Sequence, residues 1–277
     1  MPKIWSFFSP KGGVGKSTLC VHLAAALYAR GVRVTLVDAS PLSPALDVLC
    51  GVSEQVVYTL ADVASDAASA ERALLPVERL TSSAKRRKEK KTAEKDAQTA
   101  SPCLLPIAPD EKEDGDAVSA ALQKLVALNG CDILLVDASC GIYDAIAPLS
   151  EHRVILTEPN AISLRAAEAF AANHADENAC FLSVGASLCA EKLRAEPAVI
   201  DMIDRVALPI RGIVPFAPWL RSGGMLLEKC HRKEPYVWAI GNIAARLLGE
   251  NVPLLTNVKL DGISRRSYLE RTSSEEF

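Results

Sequence analysis

Ser9-Pro10-Lys11-Gly12-Gly13-Val14-Gly15-Lys16-Ser17-Thr18 decides the reading of this chain. Holding a phosphate in a loop needs several backbone N–H groups aimed into one concavity, and glycine alone enters the required conformations cheaply. Gly12, Gly13 and Gly15, with Val14 between them, supply that backbone. Lys16 can then reach the β- and γ-phosphates, and Ser17 can offer its hydroxyl to Mg²⁺. Lys16, Ser17 and Thr18 stand at the start of a helix whose dipole favours the anion. The apolar run 3–8 precedes the loop, and Leu19, Leu23, Ala26 and Leu27 follow at helical spacing up to Gly31. A strand before and a helix after separate this loop from an ordinary glycine-rich turn.

Further apolar runs at 33–37, 103–107, 133–136, 154–156, 180–184 and 210–214 alternate with helical patterns, chiefly 117–128, 161–173 and 237–248. Continuous apolar strands alternating with helices predict an α/β fold: a doubly wound, mostly parallel sheet with helices on both faces. Ligands of such sheets bind at the carboxyl ends of the strands. Asp38 and Asp137 each close an apolar run and so fall at that edge. Mg²⁺ takes oxygen ligands, so Asp137 is expected in its shell, with helix capping as the alternative. Asp38 is a comparable site residue.

With 49% hydrophobic and 23% charged residues and a formal charge of -3, the 277-residue chain has no global attraction to nucleic acid or anionic lipid. The opening Met-Pro-Lys-Ile-Trp leads straight into an apolar run without a secretory pattern, and no stretch is long enough to span a bilayer. Eight cysteines show neither a C-x-x-C pair nor zinc-ligand spacing. They read as reduced, mostly buried thiols, and a cytoplasmic location is expected. One P-loop domain is expected over 1–257.

Two segments break the pattern. Residues 84–99 carry Lys85, Arg86, Arg87, Lys88, Lys90, Lys91 and Lys95 with almost no apolar residue, and an acidic run from Asp110 to Asp116 follows. A solvated surface insertion over about 82–100 is the favoured reading, with nucleic-acid or anionic-lipid contact as the sharper one. From 258 to 277 the basic Lys259, Arg265, Arg266 and Arg271 accompany a ragged apolar stripe of Val258, Leu260, Ile263, Tyr268 and Leu269. A disordered tail and a membrane-attached one both fit that pattern.

The loop resembles the deviant Walker A motif of the MinD/ParA family of P-loop ATPases, in which Lys11 takes the place of the signature lysine. Pro10, which has no N–H, stands where the general Walker pattern has glycine. Leu46 to Gly51 and Val56 to Tyr58 are similar to segments of the MinD branch. Asp137-Ala-Ser-Cys-Gly-Ile142 resembles the family's Walker B and switch II segment. Thr157-Glu-Pro, Ser163, Arg165 and Gly212-Ile-Val-Pro215 resemble its later nucleotide-side segments. The resemblance implies ATP and Mg²⁺ as ligands and an ATP-dependent homodimer in which Lys11 reaches the partner subunit's nucleotide. Catalytic parts are expected for Lys11, Lys16 and Asp38, and a nucleotide contact at Pro215.

The family's second strand normally ends Asp-x-Asp, and the second aspartate orients the attacking water; Asp38-Ala39-Ser40 offers a hydroxyl instead. Cys140 resembles a cluster-ligating cysteine of the nitrogenase iron protein, but that pattern needs a second thiol and a wider spacing from Asp137. The favoured function is an ATP-gated switch acting on an unidentified protein partner in cell division or spatial organisation, with slow hydrolysis. The alternatives are a non-hydrolysing scaffold of the pilus or cellulose assembly type and a DNA-segregation ATPase. A peripheral position at the inner membrane face is the alternative to a purely cytoplasmic one, and nucleic acid is not expected as a partner.

Overall fold

The computed structural model describes residues 1–81, 101–193, 195–222 and 234–270, which fall into two compact units. The basic tract at 85–95, Cys230 and residues 271–277 lie outside the described residues.

The first unit holds Met1–Phe8 and Lys16–Arg153. In chain order it contains β1 (Lys3–Phe8), α1 (Lys16–Tyr28), β2 (Val34–Ala39), α2 (Leu46–Cys50), α3 (Leu60–Ala64), α4 (Ala70–Ala73), β3 (Leu75–Pro76), β4 (Cys103–Leu105), α5 (Gly115–Leu128), β5 (Ile133–Ala138) and α6 (Tyr143–Ile146). Its strands run in the order β3-β4-β2-β5-β1. β5 lies between β1 and β2, parallel to both, and β2 and β5 are buried at every position. Complete burial explains their unbroken apolar runs, because helices cover both faces of such a strand. The antiparallel β3 is only two residues long and contains Pro76, an edge strand too short to show a period in sequence. α5 starts where the Asp114 side chain accepts from the Ala117 N–H at 3.0 Å, and its cap Asn129 is left-handed at φ 54°.

The second unit comprises Ser9–Gly15, residues 154–222 and residues 234–270. It takes in β6 (His152–Thr157) from Val154 onward, α7 (Ala161–His174), β7 (Ala179–Ala186), α8 (Ala190–Leu193), α9 (Val199–Val206), β8 (Ile210–Pro215), α10 (Pro235–Leu247) and α11 (Arg265–Glu270), with strand order β6-β7-β8. Ile155, Leu164, Phe181, Met202 and Val206 form one core cluster. α10 packs so closely on β8 that a Cβ on Gly212 would overlap the Ile243 side chain.

The expected break at Val258 is not where packing ends. Val258, Leu260, Ile263 and Leu269 pack against a cluster containing Leu193, Ile213 and Tyr268. Tyr268 is 2% exposed, and its hydroxyl donates to the Ser187 carbonyl at 3.0 Å. The stripe is ragged because only residues 265–270 are helical, so a single helical period never applied to it. Up to residue 270 these apolar side chains pack against the second unit's own core. Among the described residues, no helix is long and apolar enough to cross a membrane.

Candidate functional site

In the first unit, Asp38 and Asp137 are direct partners in the β2/β5 register, so parallel pairing brings two carboxylates to one level near the strand ends. Lys16, the first residue of α1, donates to Asp137 Oδ1 and, at 2.8 Å, to Ser40 Oγ. Ser40 Oγ in turn donates to the Asp137 carbonyl at 3.2 Å. The Lys16 side chain is 14% exposed and that of Asp137 is 0% exposed. Asp137 Oδ2 is buried with no hydrogen-bond partner. A buried anionic oxygen without a donor is costly unless a cation or donor arrives, and carboxylate oxygen is a ligand type that Mg²⁺ prefers. The unpartnered Asp137 oxygen therefore fits the expected cation.

Asp38 has a different character. Its Oδ1 accepts from Ser40 N at 3.1 Å, and its Oδ2 accepts from Ala45 N at 3.2 Å and Leu46 N at 3.1 Å. Burial, followed by the negative charge of Asp137, pushes its pKa up to about 7, against the pull of those three N–H donors. This geometry anchors the 40–46 loop and the start of α2, and both oxygens are committed to backbone. Glu113 is a contact that the sequence did not reveal. It accepts from Ser139 Oγ and lies against Gly141, where an added Cβ would meet its carboxylate at 2.6 Å. Read in sequence, Glu113 belonged to an acidic run, and nothing in that run marks one member as packing on the segment after Asp137.

The loop itself belongs to the second unit from Ser9 to Gly15. Gly13 (φ 81°) and Gly15 (φ 90°) hold left-handed backbone, which accounts for glycine at both positions. A Cβ added at Gly12, Gly13 or Gly15 would meet nothing within 4 Å, so open space borders the cradle. Val14 is buried. Lys11 Nζ donates to Glu158 Oε2 at 2.5 Å, and Asn160 Nδ2 donates to the same oxygen at 3.1 Å. Pro215 ends β8, paired in register with Ala186 of β7. Beside these strand ends lies a hollow of about 370 Å³ lined by residues including Gly185, Ser187, Lys192, Phe216 and Asp261. Phe216 follows Pro215 directly and is 49% exposed. Pro215 is thus placed next to a hollow lined by its neighbour, without lining it itself.

None of the seven described cysteines forms a disulfide among the described residues, and four of them are buried. Cys140 is half-buried, and among the described residues no group of His, Cys, Asp or Glu is arranged to hold a metal ion.

A strand, a glycine loop and a helix whose leading lysine is held by a strand-end aspartate place the chain among the P-loop nucleotide-binding α/β proteins. The sequence pattern of the CbiA family, the CobQ/CobB/MinD/ParA nucleotide binding domain, matches residues 5–221. The septum site-determining protein MinD of Synechocystis is 30% identical over 294 aligned residues, covering 96% of this chain and 98% of its own. MinD in the MinC:MinD cell division protein complex of Aquifex aeolicus superposes with a TM-score of 0.73 at 25% identity, over 91% of this chain and 98% of that one. The MinD protein of Pyrococcus horikoshii, solved with Mg-ADP, shares the fold with a TM-score of 0.63 at 22% identity, over 89% and 96% of the two chains. The chain belongs to the CobQ/CobB/MinD/ParA nucleotide-binding family and, within it, to the MinD group of cell-division ATPases.

Proposed function

We propose that the chain is a Mg²⁺- and ATP-gated switch: ATP binding closes a homodimer, the dimer engages a protein partner in division-site placement, and slow hydrolysis resets it. The observation that carries this reading is the Lys16–Asp137 pair, with one Asp137 oxygen buried and unpartnered. Gly12, Gly13, Val14 and Gly15 would cradle the phosphates with backbone N–H groups, and Lys16 would turn from Asp137 to the β- and γ-phosphates. Ser17 and Asp137 would hold Mg²⁺, which supplies neutralisation of phosphate charge when bound. Asp38 would act as a positioning residue that keeps the 40–46 loop in place, and Pro215 would contact the nucleotide. Lys11 would cross to the partner subunit's nucleotide. A MinC-type partner is supported by the complex solved for the Aquifex relative. A cytoplasmic location fits this reading.

A second reading is a nucleotide-binding scaffold that does not hydrolyse. It is favoured by Ser40, whose hydroxyl is bonded to Lys16 where a water-orienting carboxylate would be needed. Calorimetric titration with Mg-ATP tests what both readings share. Binding to the natural protein, its loss in Lys16→Ala and its retention in Cys140→Ser are expected; full binding by Lys16→Ala would remove the loop from this role.

A further inference from the structure

Lys11 belongs to the loop yet is already paired within its own chain. Its ammonium donates to Glu158 Oε2 at 2.5 Å, with the two side chains 37% and 31% exposed. Glu158 is held independently of the lysine. Asn160 Nδ2 donates to the same oxygen, the Glu158 N–H donates to Ser163 Oγ at 2.9 Å, and Asn160 caps α7 through the Ser163 N–H at 2.9 Å. The carboxylate therefore sits beside the first turn of a 14-residue helix, where the helix dipole favours negative charge. One end of the pair is built in, and the other is a flexible side chain on a glycine-rich loop. A lysine that reaches another subunit must first leave this acceptor.

We propose that Glu158 is a positioning residue for Lys11: it holds the lysine in cis in the single chain and thereby raises the ATP concentration or protein concentration at which dimers form. This rests on the proposed cross-subunit role of Lys11. Both chains of a dimer release one such pair, so the effect of a single substitution enters the dimer dissociation constant twice. Partly exposed pairs contribute a small factor each, which makes the expected tightening on loss of the carboxylate roughly tenfold, within about twofold to thirtyfold. The pair is screened by salt, so the advantage of the variant should shrink as ionic strength rises.

The test measures dimer dissociation constants with Mg²⁺ and a non-hydrolysable ATP analogue for the natural protein, Glu158→Gln, Glu158→Asp, Lys11→Ala and Lys11→Ala/Glu158→Gln. Glu168→Gln, which loses an exposed carboxylate paired with Arg205 at 2.7 Å in the same unit, is the control and should dimerise as the natural protein does. Glu158→Gln is expected to dimerise more tightly, more so at low salt, and Glu158→Asp, one methylene too short to serve both Lys11 and Asn160, should move in the same direction. In the Lys11→Ala background, Glu158→Gln should change nothing. Equal or weaker dimers in both Glu158 variants, with melting temperatures near the natural one, would overturn the latch, as would an equal gain without Lys11. If Lys11→Ala itself dimerises normally, the cross-subunit role falls and the latch falls with it. A weak Lys11→Ala beside neutral Glu158 variants overturns the latch alone.

Discussion

Lys16 satisfies one oxygen of the buried Asp137 carboxylate and leaves the other without a partner. Removing the lysine strands a charge in a site with no exposure, and breaking a buried pair by removing one partner typically costs about 3–5 kcal/mol. Without nucleotide, Lys16→Ala should therefore unfold at clearly lower denaturant concentration than the natural protein. Adding Asp137→Asn should restore most of the loss, because the stranded charge is gone. A double variant no more stable than the single one would mean that Asp137 draws its stability from elsewhere.

Replacing Ser40 by Asp should raise ATP turnover. Ser40 Oγ lies 2.8 Å from Lys16 Nζ, so a carboxylate there reaches the same ammonium. General-base contributions of about 10²- to 10⁴-fold set the ceiling of the gain. Competition with Asp137 for Lys16 sets the lower end. Phosphate release is best compared at pH 8, above the raised pKa of about 7 of neighbouring Asp38. A natural protein that is already fast, with no gain in Ser40→Asp, would show that another residue orients the water.

Acid should destabilise the fold through His22. Burial lowers its pKa from 6.5 to about 4, so between those values the unfolded chain binds a proton that the fold refuses. This contribution is present above pH 6.5 and is lost as pH falls toward 4, amounting to about 3 kcal/mol. Asp38 acts in the opposite direction: its raised pKa lets the fold keep a proton that the unfolded chain has lost, so its contribution weakens as pH rises toward 7. Comparing the natural protein with His22→Gln cancels the Asp38 part. The stability difference between them should shift in favour of the variant by that amount from pH 6.5 to 4, and a difference independent of pH would contradict the buried neutral imidazole.

Gly212→Ala should destabilise by about 1–3 kcal/mol, since the new methyl overlaps the Ile243 side chain. Ile243→Ala costs stability by leaving a cavity, yet it also makes room for the methyl, so the two changes together should cost less than their sum. Chemical denaturation of the four proteins measures the coupling. Strict additivity would place the loss away from this contact.

The loop and the strands were legible because both rest on local chemistry. Glycines in left-handed backbone at 13 and 15, and apolar runs buried on both faces, leave their mark within a few residues. Asp38 and Asp137 were legible as strand-end carboxylates, but their difference was not. It arises from Ala45, Leu46 and Lys16, which are 7, 8 and 121 residues from the carboxylates they touch. Glu158 and Glu113 depend on partners 147 and 26 residues away, and a surface carboxylate carries no local sign of such a pairing. The packing after Val258 was hard to read for a related reason: its apolar residues lie on a path that is helical only from Arg265 to Glu270, so no single period runs through them.

Control of assembly by nucleotide bound at the 9–18 loop is read from the solution mass of the natural protein with Mg-ATP and with Mg-ADP. Light scattering should give twice the mass of a single chain with Mg-ATP and the mass of one chain with Mg-ADP. The same mass in both nucleotides would show that the bound nucleotide does not govern assembly.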